Sequence, residues 1–161
     1  MANSIVFGPV PSRRLGRSIG INNIPPKTCS YACVYCQLGK TSRMMAGREF
    51  FYDPEKIINA VKLKIKHARE KDESVDYLTF VSDGEPTLDC NLGKEIELLK
   101  SFGIKIAVIT NASLIWREDV RQDLQKADWE IIEKLLRDGK LIEVDYSGMK
   151  FYVRRWPTPI T

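Results

Sequence analysis

The sequence predicts an α/β fold in which strands and helices alternate, followed by a separate helix and β-hairpin. Three observations support this prediction. Short apolar runs typical of buried strands alternate with amphipathic helical segments in residues 1–128. Polar loops follow these strands directly, and parallel strand-helix units carry their functional loops at the carboxyl ends of strands. Residues 129–161 change in character and predict a small second domain.

The first predicted strand is Ser18–Asn22, and Pro25 and Pro26 end it. The preceding segment, from Ser4 to Arg17, is rich in Gly, Pro and Arg, with a short apolar start at residues 5–7. A loop that contains three cysteines follows the strand.

A long helix is predicted to begin after Asp53, because an N-cap residue precedes Pro54 at the first helical position. Its apolar positions recur every three or four residues and form one stripe, which comprises Ile57, Val61, Ile65 and Ala68. This helix is expected to pack on the outside of a sheet.

Two further strands complete the predicted repeat. They are Asp76–Ser82 and Ile104–Thr110, and a helix from Asn91 to Phe102, ended by Gly103, lies between them. A helical stripe then continues through Val120, Leu124 and Ala127.

The tail predicts a helix at Trp129–Arg137 and a hairpin with a two-residue turn at Ser147–Gly148. With this turn, the apolar residues of the two strands pair on one side of the hairpin. The expected pairs are Tyr146 with Met149, Val144 with Phe151, and Ile142 with Val153, and Asp145 falls opposite Lys150.

Cys29, Cys33 and Cys36 are spaced so closely that one loop can place three thiolates around one metal centre. Structural zinc sites and most iron–sulfur clusters take four protein ligands. A four-iron cluster on three cysteines leaves one iron open to a substrate or cofactor. Two alternatives remain: a zinc site completed by Cys90 or His67, and unrelated buried thiols. Cys90 itself is expected to be a small buried side chain.

A second motif, Asp83–Thr87, follows a predicted strand directly. Gly84 permits close approach or unusual torsions, and Pro86 restrains the preceding residue, so Glu85 can be aimed at a cationic group. The open alternative is a simple proline turn.

The three cysteines, with aromatic Tyr35 before the last of them, resemble the signature of the radical S-adenosylmethionine (radical SAM) superfamily. Residues 8–16 and 36–39 are similar, more narrowly, to the iron–sulfur oxidoreductase branch that includes archaeal-type wyosine tRNA-modifying synthases. The resemblance implies a [4Fe–4S] cluster on the cysteines and S-adenosylmethionine on its open iron, with Tyr35 against the adenine.

The same resemblance implies that Gly84, Glu85 and Pro86 bind the cofactor ammonium. It also implies that Asn111, after the third strand, contacts the cofactor, although an asparagine that makes a local turn is the alternative. Ser82 and Thr110 are weaker candidates for the same pocket. The implied reaction is reductive cleavage of S-adenosylmethionine to methionine and a 5′-deoxyadenosyl radical, which abstracts hydrogen from a substrate.

Radical SAM enzymes of this kind have six strand-helix units, whereas three are predicted here. We therefore expect a partial radical SAM-type barrel over residues 1–128 and a winged-helix-like tail over 129–161, joined by truncation or internal deletion. A homodimer is expected to close the open sheet edge. The alternative function is a non-catalytic iron–sulfur or nucleic-acid-binding module left by loss of half the barrel.

Charge is unevenly distributed along the chain. Residues 1–48 carry seven basic and no acidic side chains, while residues 49–161 carry 18 basic and 21 acidic ones. This pattern favours an anionic cofactor and a tRNA or other anionic substrate, although a solvated basic surface is the alternative. No apolar run is long enough to span a membrane and no secretory leader is evident, so we expect a cytoplasmic protein. The implied reductive reaction also requires an electron donor, which the sequence does not identify.

Overall fold

The computed structural model describes residues 4–12, 15–34, 36–128, 141–146 and 149–154. These residues belong to two units, 1–127 and 128–161. The described elements are β1 (Val6–Ser12), β2 (Gly16–Ile21), β3 (Thr28–Cys29), β4 (Arg43–Met44), α1 (Pro54–Glu70), β5 (Tyr77–Phe80), α2 (Leu92–Leu99), β6 (Lys105–Val108), α3 (Glu118–Leu124), β7 (Leu141–Tyr146) and β8 (Met149–Arg154).

A four-stranded sheet with the order β1-β2-β5-β6 forms the framework of the first unit. β2, β5 and β6 are parallel, with Ile21 beside Phe80 and Phe80 beside Val108. The crossover from β2 to β5 contains the cysteine loop and α1, and the crossover from β5 to β6 contains α2. The α/β class and the partial radical SAM-type arrangement predicted from the sequence are confirmed.

β1 was not among the predicted strands, and it runs antiparallel to β2. Proline in this segment argued against a strand, because it cannot donate to a sheet. The structure accommodates Pro9 and Pro11 because β1 is at the sheet edge and its register shifts between Phe7 and Val10. The amino-terminal Gly-Pro-rich segment is therefore part of the sheet.

α1 begins and packs as predicted. The Asp53 side chain accepts a hydrogen bond from the Glu55 amide at 3.0 Å, and Pro54 occupies the first turn. The residues of the predicted stripe are all buried: Ile57, Val61, Ile65 and Ala68. None of the described helices is long and apolar enough to cross a membrane.

α2 is shorter than the predicted helix. Its α-helical hydrogen bonding ends at Leu99, a 3-10 turn covers Lys100–Phe102, and Gly103 adopts a left-handed conformation with φ of 66°. This arrangement is a common way to end a helix and to satisfy its last carbonyl groups. The predicted role of Gly103 as the end of the helix is confirmed.

The core lies between the sheet and helices α1 and α2. Alternate strand residues contribute to it, including Ile19 and Ile21 from β2, Leu78 and Phe80 from β5, and Ile106 from β6. On the other sheet face, the hydroxyl groups of Ser18 and Thr79 are 2.5 Å apart. The Phe7 ring lies against Gly20 of β2, where a Cβ atom would collide with it.

The second unit contains the antiparallel pair β7 and β8. Its register places Tyr146 opposite Met149, Ile142 opposite Val153, and Asp145 opposite Lys150, so the predicted hairpin pairing is confirmed. The predicted helix at residues 129–137 and the turn at 147–148 lie outside the described residues.

Candidate functional site

Three loops meet beyond the carboxyl ends of the parallel strands. They follow β2, β5 and β6 and contain Cys29, Glu85 and Asn111, respectively. The sequence placed these side chains at strand ends, and parallel strands present those ends along one sheet edge. The contacts between the loops show how closely the three segments are joined.

The cysteine loop is bound directly to the Asp83–Thr87 motif. The Lys27 amide donates to the Asp83 carbonyl oxygen at 2.6 Å, and the Glu85 amide donates to the Thr28 carbonyl oxygen at 3.1 Å. Between these two bonds, a Cβ atom on Gly84 would lie 1.9 Å from the Thr28 carbonyl oxygen. Only glycine permits this approach, so Gly84 holds the start of the cysteine loop against the motif.

The other flank of the cysteine loop is bound to residues 42–45. The Lys27 carbonyl oxygen accepts from the amides of Ser42 and Arg43, and the Cys29 carbonyl oxygen accepts from the Met45 amide at 3.1 Å. The short strands β3 and β4 pair here in parallel. The backbone of Cys29 is therefore fixed from two sides.

The three thiols differ in exposure. Cys29 and Cys33 are half-buried and Cys36 is exposed, and none forms a disulfide. The Cys36 amide donates to the Cys33 carbonyl oxygen at 3.1 Å, so the last two cysteines belong to one turn. In the described part of the chain, no three His, Cys, Asp or Glu side chains lie close enough to share a metal ion. Predicted Tyr35 lies outside the described residues.

Glu85 is 1% exposed, and its carboxylate joins two strand ends. Oε1 accepts hydrogen bonds from the Thr87 amide at 3.1 Å, the Thr87 hydroxyl at 2.5 Å and the Thr110 hydroxyl at 2.6 Å. Oε2 accepts from the Asn111 amide at 2.7 Å. The burial of this carboxylate is compensated by four donors, and Oε2 retains capacity for another.

Asn111 connects the carboxylate to the first cysteine. Besides the bond from its amide to Glu85, its side-chain Nδ2 lies 3.6 Å from the Cys29 thiol and donates to the Ser30 hydroxyl at 3.0 Å. Its Oδ1 also accepts from the Ser113 amide at 2.9 Å, which is the local asparagine turn considered as the alternative. The local turn and the contact with the Cys29 thiol are therefore present together, and the contact of Asn111 with a cofactor stays a prediction.

The weaker predicted candidates are placed differently. Thr110 contacts Glu85 directly, whereas the Ser82 hydroxyl donates to the Asn23 side chain at 2.6 Å. Pro86 is buried at the start of a 3-10 turn, Pro86–Leu88, that Glu85 caps. Ser82 therefore connects the loop after β5 to the loop after β2 and makes no described hydrogen bond to Glu85.

Cys90 is exposed, so the expectation of a small buried side chain is wrong. Its amide pairs with the Glu49 carbonyl oxygen at 3.0 Å, which sets the backbone and leaves the side chain outside. His67 is exposed in the last turn of α1. Neither residue belongs to a group of potential metal ligands in the part of the chain that the structure describes.

Two buried carboxyl groups follow the 3-10 turn that Glu85 caps. Asp89 and Glu95 are both 0% exposed, and no donor of normal hydrogen-bond geometry reaches either Glu95 oxygen among the described residues. Burial, followed by the neighbouring charge of Asp89, raises the pKa of Glu95 to about 9. Burial also raises the pKa of Asp89 to about 6, against hydrogen bonds and the Arg48 charge that lower it. Glu95 is therefore a neutral acid near neutral pH.

Sequence reasoning missed Arg48, whose guanidinium donates to the carbonyl oxygens of Thr87 and Asp89. Its side chain is 6% exposed and forms ion pairs with Asp119 and Asp123. The only available signal was its place among the basic residues of the first third of the chain, and nothing in that pattern distinguishes a buried arginine from a solvated one.

The described residues fit an iron–sulfur cluster and S-adenosylmethionine in the type of their donors. The cysteines are unpaired and come from one loop with an exposed tip, and soft thiolate ligands suit iron–sulfur clusters. The thiols must come closer together to share one cluster, and this requires the loop tip beyond Cys29 to close. The Asn111 side chain already lies 3.6 Å from the first thiol, and the Asn111 amide donates to Glu85.

Comparison with known proteins places this geometry in context. Residues 23–148 match the sequence profile of the radical SAM superfamily. A UPF0026 protein of Methanocaldococcus jannaschii is 59% identical over 125 residues, which make up 78% of this chain and 38% of that relative. A UPF0026 protein of Helicobacter pylori is 38% identical over 127 residues, or 77% of this chain and 40% of that relative.

A protein named GTPase Obg from Brachyspira hyodysenteriae is 44% identical over 124 residues, which make up 76% of this chain and 18% of that protein. The chain therefore spans less than half the length of these relatives. No solved structure gives a significant match.

Proposed function

Because the chain belongs to the radical SAM superfamily, we propose that it holds a [4Fe–4S] cluster on Cys29, Cys33 and Cys36 and binds S-adenosylmethionine beside them. The observation that supports this proposal most directly is the position of Asn111. Its amide donates to Glu85, and its side chain lies 3.6 Å from the Cys29 thiol. One residue thus connects the proposed cluster ligand to the proposed cofactor-binding carboxylate.

When bound, the cluster would supply the electron for reductive cleavage of a carbon–sulfur bond of S-adenosylmethionine, with methionine and a 5′-deoxyadenosyl radical as the products. The protein residues bind and orient. Glu85 attracts the cofactor ammonium through Oε2, while its Oε1 is occupied by Thr87 and Thr110. Tyr35 lies against the adenine in this proposal, and Gly84 and Pro86 shape the backbone around Glu85.

For the substrate we propose a tRNA base or another anionic molecule, and for the electron source a separate donor. The supporting observation is charge: residues 1–48, which contain the cysteine loop, have seven basic and no acidic side chains, and three of the basic ones, Arg17, Arg43 and Arg48, pair with carboxylates of later segments. A positive surface raises the local concentration of a phosphate-bearing substrate, and this attraction weakens as the salt concentration rises. The kinship to wyosine synthases is part of the same proposal.

A non-catalytic iron–sulfur or nucleic-acid-binding module is the second candidate function. The burial of Glu85 and its four hydrogen bonds favour it, because a carboxylate so occupied already stabilises the fold without a ligand. A module of this kind would retain a cluster and would not cleave S-adenosylmethionine.

Anaerobic reconstitution with iron and sulfide tests both candidates. We expect about four irons per chain, a visible and electron paramagnetic resonance spectrum that S-adenosylmethionine alters, and release of 5′-deoxyadenosine after reduction. Cys36→Ala should abolish cluster binding, while the matched Cys90→Ala variant should retain it, because Cys90 is no proposed ligand.

Each contrary result has a distinct meaning. A complete cluster without 5′-deoxyadenosine would favour the non-catalytic module. Zinc in place of iron, or loss of metal in Cys90→Ala, would contradict the proposed cluster altogether.

A further inference from the structure

We propose that Arg48 is a positioning residue that fixes the Glu85 turn, residues 85–89, against the segment that follows Asn111. This inference rests on the function proposed above, since the geometry it sets is that of the cofactor-binding residues. Arg48 itself contacts neither Glu85 nor Asn111 in the hydrogen bonds described. Arg48 acts on Glu85 and Asn111 indirectly, by holding the backbone segments to which they belong.

The guanidinium of Arg48 binds the carbonyl side of the Glu85 turn. Nε donates to the Thr87 carbonyl oxygen at 3.0 Å, and Nη2 donates to the Asp89 carbonyl oxygen at 2.6 Å. The adjacent Glu49 amide donates to the Leu88 carbonyl oxygen at 2.9 Å. Three consecutive carbonyl groups at the end of the turn therefore accept hydrogen bonds from residues 48 and 49, and the Asp89 carbonyl oxygen also accepts one from the Leu92 amide at 3.3 Å.

The same guanidinium binds α3, which follows the Asn111 loop. Nη1 pairs with the Asp119 carboxylate at 3.1 Å, and Nη2 pairs with the Asp123 carboxylate at 2.5 Å. Because the Arg48 and Asp123 side chains are 6% and 15% exposed, the charge-assisted bond between them is largely shielded from solvent, whereas the Asp119 side chain is 48% exposed. Arg48 thus connects the segment after the cysteines to the segments that carry Glu85 and Asn111.

Lysine cannot reproduce these contacts. Its ammonium is a single point charge, whereas the planar guanidinium reaches two carbonyl groups and two carboxylates at once. Arg48→Lys keeps the positive charge and the apolar stem of the side chain, but the ammonium cannot make all of these hydrogen bonds at once. Faster amide exchange or weaker cofactor binding in this variant therefore reports on the lost hydrogen bonds, because the net charge is unchanged.

Arg121 offers a matched control. It also donates to two backbone carbonyl groups, those of Ile115 and Trp116, at 2.9 and 2.8 Å, and it pairs with Glu118. It has no described contact with the Glu85 turn. Arg121→Lys therefore removes a similar set of bonds within the segment that follows Asn111 and leaves the bonds between Arg48 and the Glu85 turn in place.

The first measurement is amide hydrogen exchange on the cluster-free chain. The amides of Thr87 and Asn111 donate to Glu85 and report whether the turn is held. We expect Arg48→Lys to speed their exchange about tenfold or more, and Arg121→Lys to leave it within about twofold. Unchanged rates in Arg48→Lys, or equal increases in both variants, would overturn the inference.

The second measurement is binding of S-adenosylmethionine to the reconstituted protein by equilibrium dialysis. We expect Arg48→Lys to raise the dissociation constant about tenfold at unchanged iron content, and Arg121→Lys to leave it unchanged. Wild-type affinity in an Arg48→Lys variant whose turn is loosened would also overturn the inference. If the wild-type protein binds no S-adenosylmethionine, the proposed function fails, and the exchange result alone decides the role of Arg48.

If Arg48→Lys does not fold, Asp123→Asn replaces it. This variant keeps both carbonyl contacts of Arg48 and removes one of its charged partners. Exchange of the Thr87 and Asn111 amides should then rise by about threefold. No change would count against the inference.

Discussion

At the scale of single residues, the close approach of Gly84 to the Thr28 backbone shows how one missing side chain determines the site. The Asp83 carbonyl oxygen and the Glu85 amide, on either side of Gly84, bind the start of the cysteine loop. Any Cβ atom at position 84 would force the two segments apart. The sequence predicted that Gly84 matters, but it could not show that the approaching atom is a backbone oxygen.

Gly84→Ala should destabilise the fold by about 1–3 kcal/mol, the usual range for overpacking of a closely packed site. Urea unfolding provides the measurement, and the midpoint should fall without a change in slope. Gly47→Ala is the matched control, because nothing lies within 4 Å of a Cβ atom there. Equal midpoints for the two variants would show that the contact is easily relieved.

Glu95 is the other residue whose environment the sequence could not reveal. A glutamate on a predicted helix is normally exposed, yet this one is 0% exposed beside Asp89. Its pKa is raised from 4.5 to about 9, mainly by burial. The folded chain therefore binds more protons than the unfolded chain between these pH values.

This difference predicts that the contribution of Glu95 to the unfolding free energy is greatest below the ordinary glutamate pKa and falls as pH rises towards 9. The slope should reach up to about 1.4 kcal/mol per pH unit. Glu95→Gln keeps the shape of the neutral acid and removes the titration, so its stability should vary less with pH and should exceed that of the wild type near pH 8. Urea unfolding of both proteins at several pH values measures the pH dependence of stability and the difference in stability near pH 8.

Glu97→Gln is the control for this experiment, since the Glu97 side chain is 58% exposed on the same helix. It should follow the wild-type pH dependence. A Glu95→Gln variant that also follows the wild-type curve would show that Glu95 is charged in the folded protein.

At the scale of elements, α1 shows how much a local pattern can specify. A capping aspartate, a proline at the first turn and one apolar stripe predicted its start and its buried face, because all three act within the helix itself. β1 shows the opposite case. Whether a strand tolerates Pro9 and Pro11 depends on its position in the sheet, and that position is set by residues distant in sequence.

The Asp53 cap is open to direct test. Asp53→Ala should lower the unfolding free energy by about 1 kcal/mol, because the Glu55 amide loses its acceptor. Asp53→Ser retains an acceptor and should remain near wild-type stability. Circular dichroism during thermal unfolding gives the comparison, and an unchanged Asp53→Ala midpoint would mean that water replaces the cap.

The candidate site follows the same division. Cys29, Glu85 and Asn111 could be predicted to lie together, because each follows a strand of one parallel sheet. The contacts of Arg48 with the Glu85 turn and with α3 could not be predicted, because they join residues that are far apart in the sequence. Local sequence carries no record of such long-range pairing.

At the scale of the whole molecule, the end of the four-stranded sheet that follows β6 is the feature of greatest consequence in the first unit. β6 is the last strand of the described sheet order, and Ile109 just beyond it is 52% exposed. An apolar side chain exposed at the end of a sheet favours association with another chain. We propose that two copies associate at this end of the sheet, beside Ile109.

Sedimentation velocity at increasing protein concentration should then show dimers. Ile109→Lys should shift the equilibrium to monomer, because a charge at a sheet edge opposes pairing. Glu97→Gln, on exposed helix surface, should not. Monomer alone at every concentration would contradict this proposal.

The hydrogen bonds between the cysteine loop and the Asp83–Glu85 segment have a practical consequence for protein engineering. A transplant of residues 27–45 alone into another α/β scaffold would carry the thiols without the backbone partners that anchor them. The smallest portable unit comprises that loop together with residues 83–89, and the recipient scaffold must present two adjacent parallel strands at the matching register.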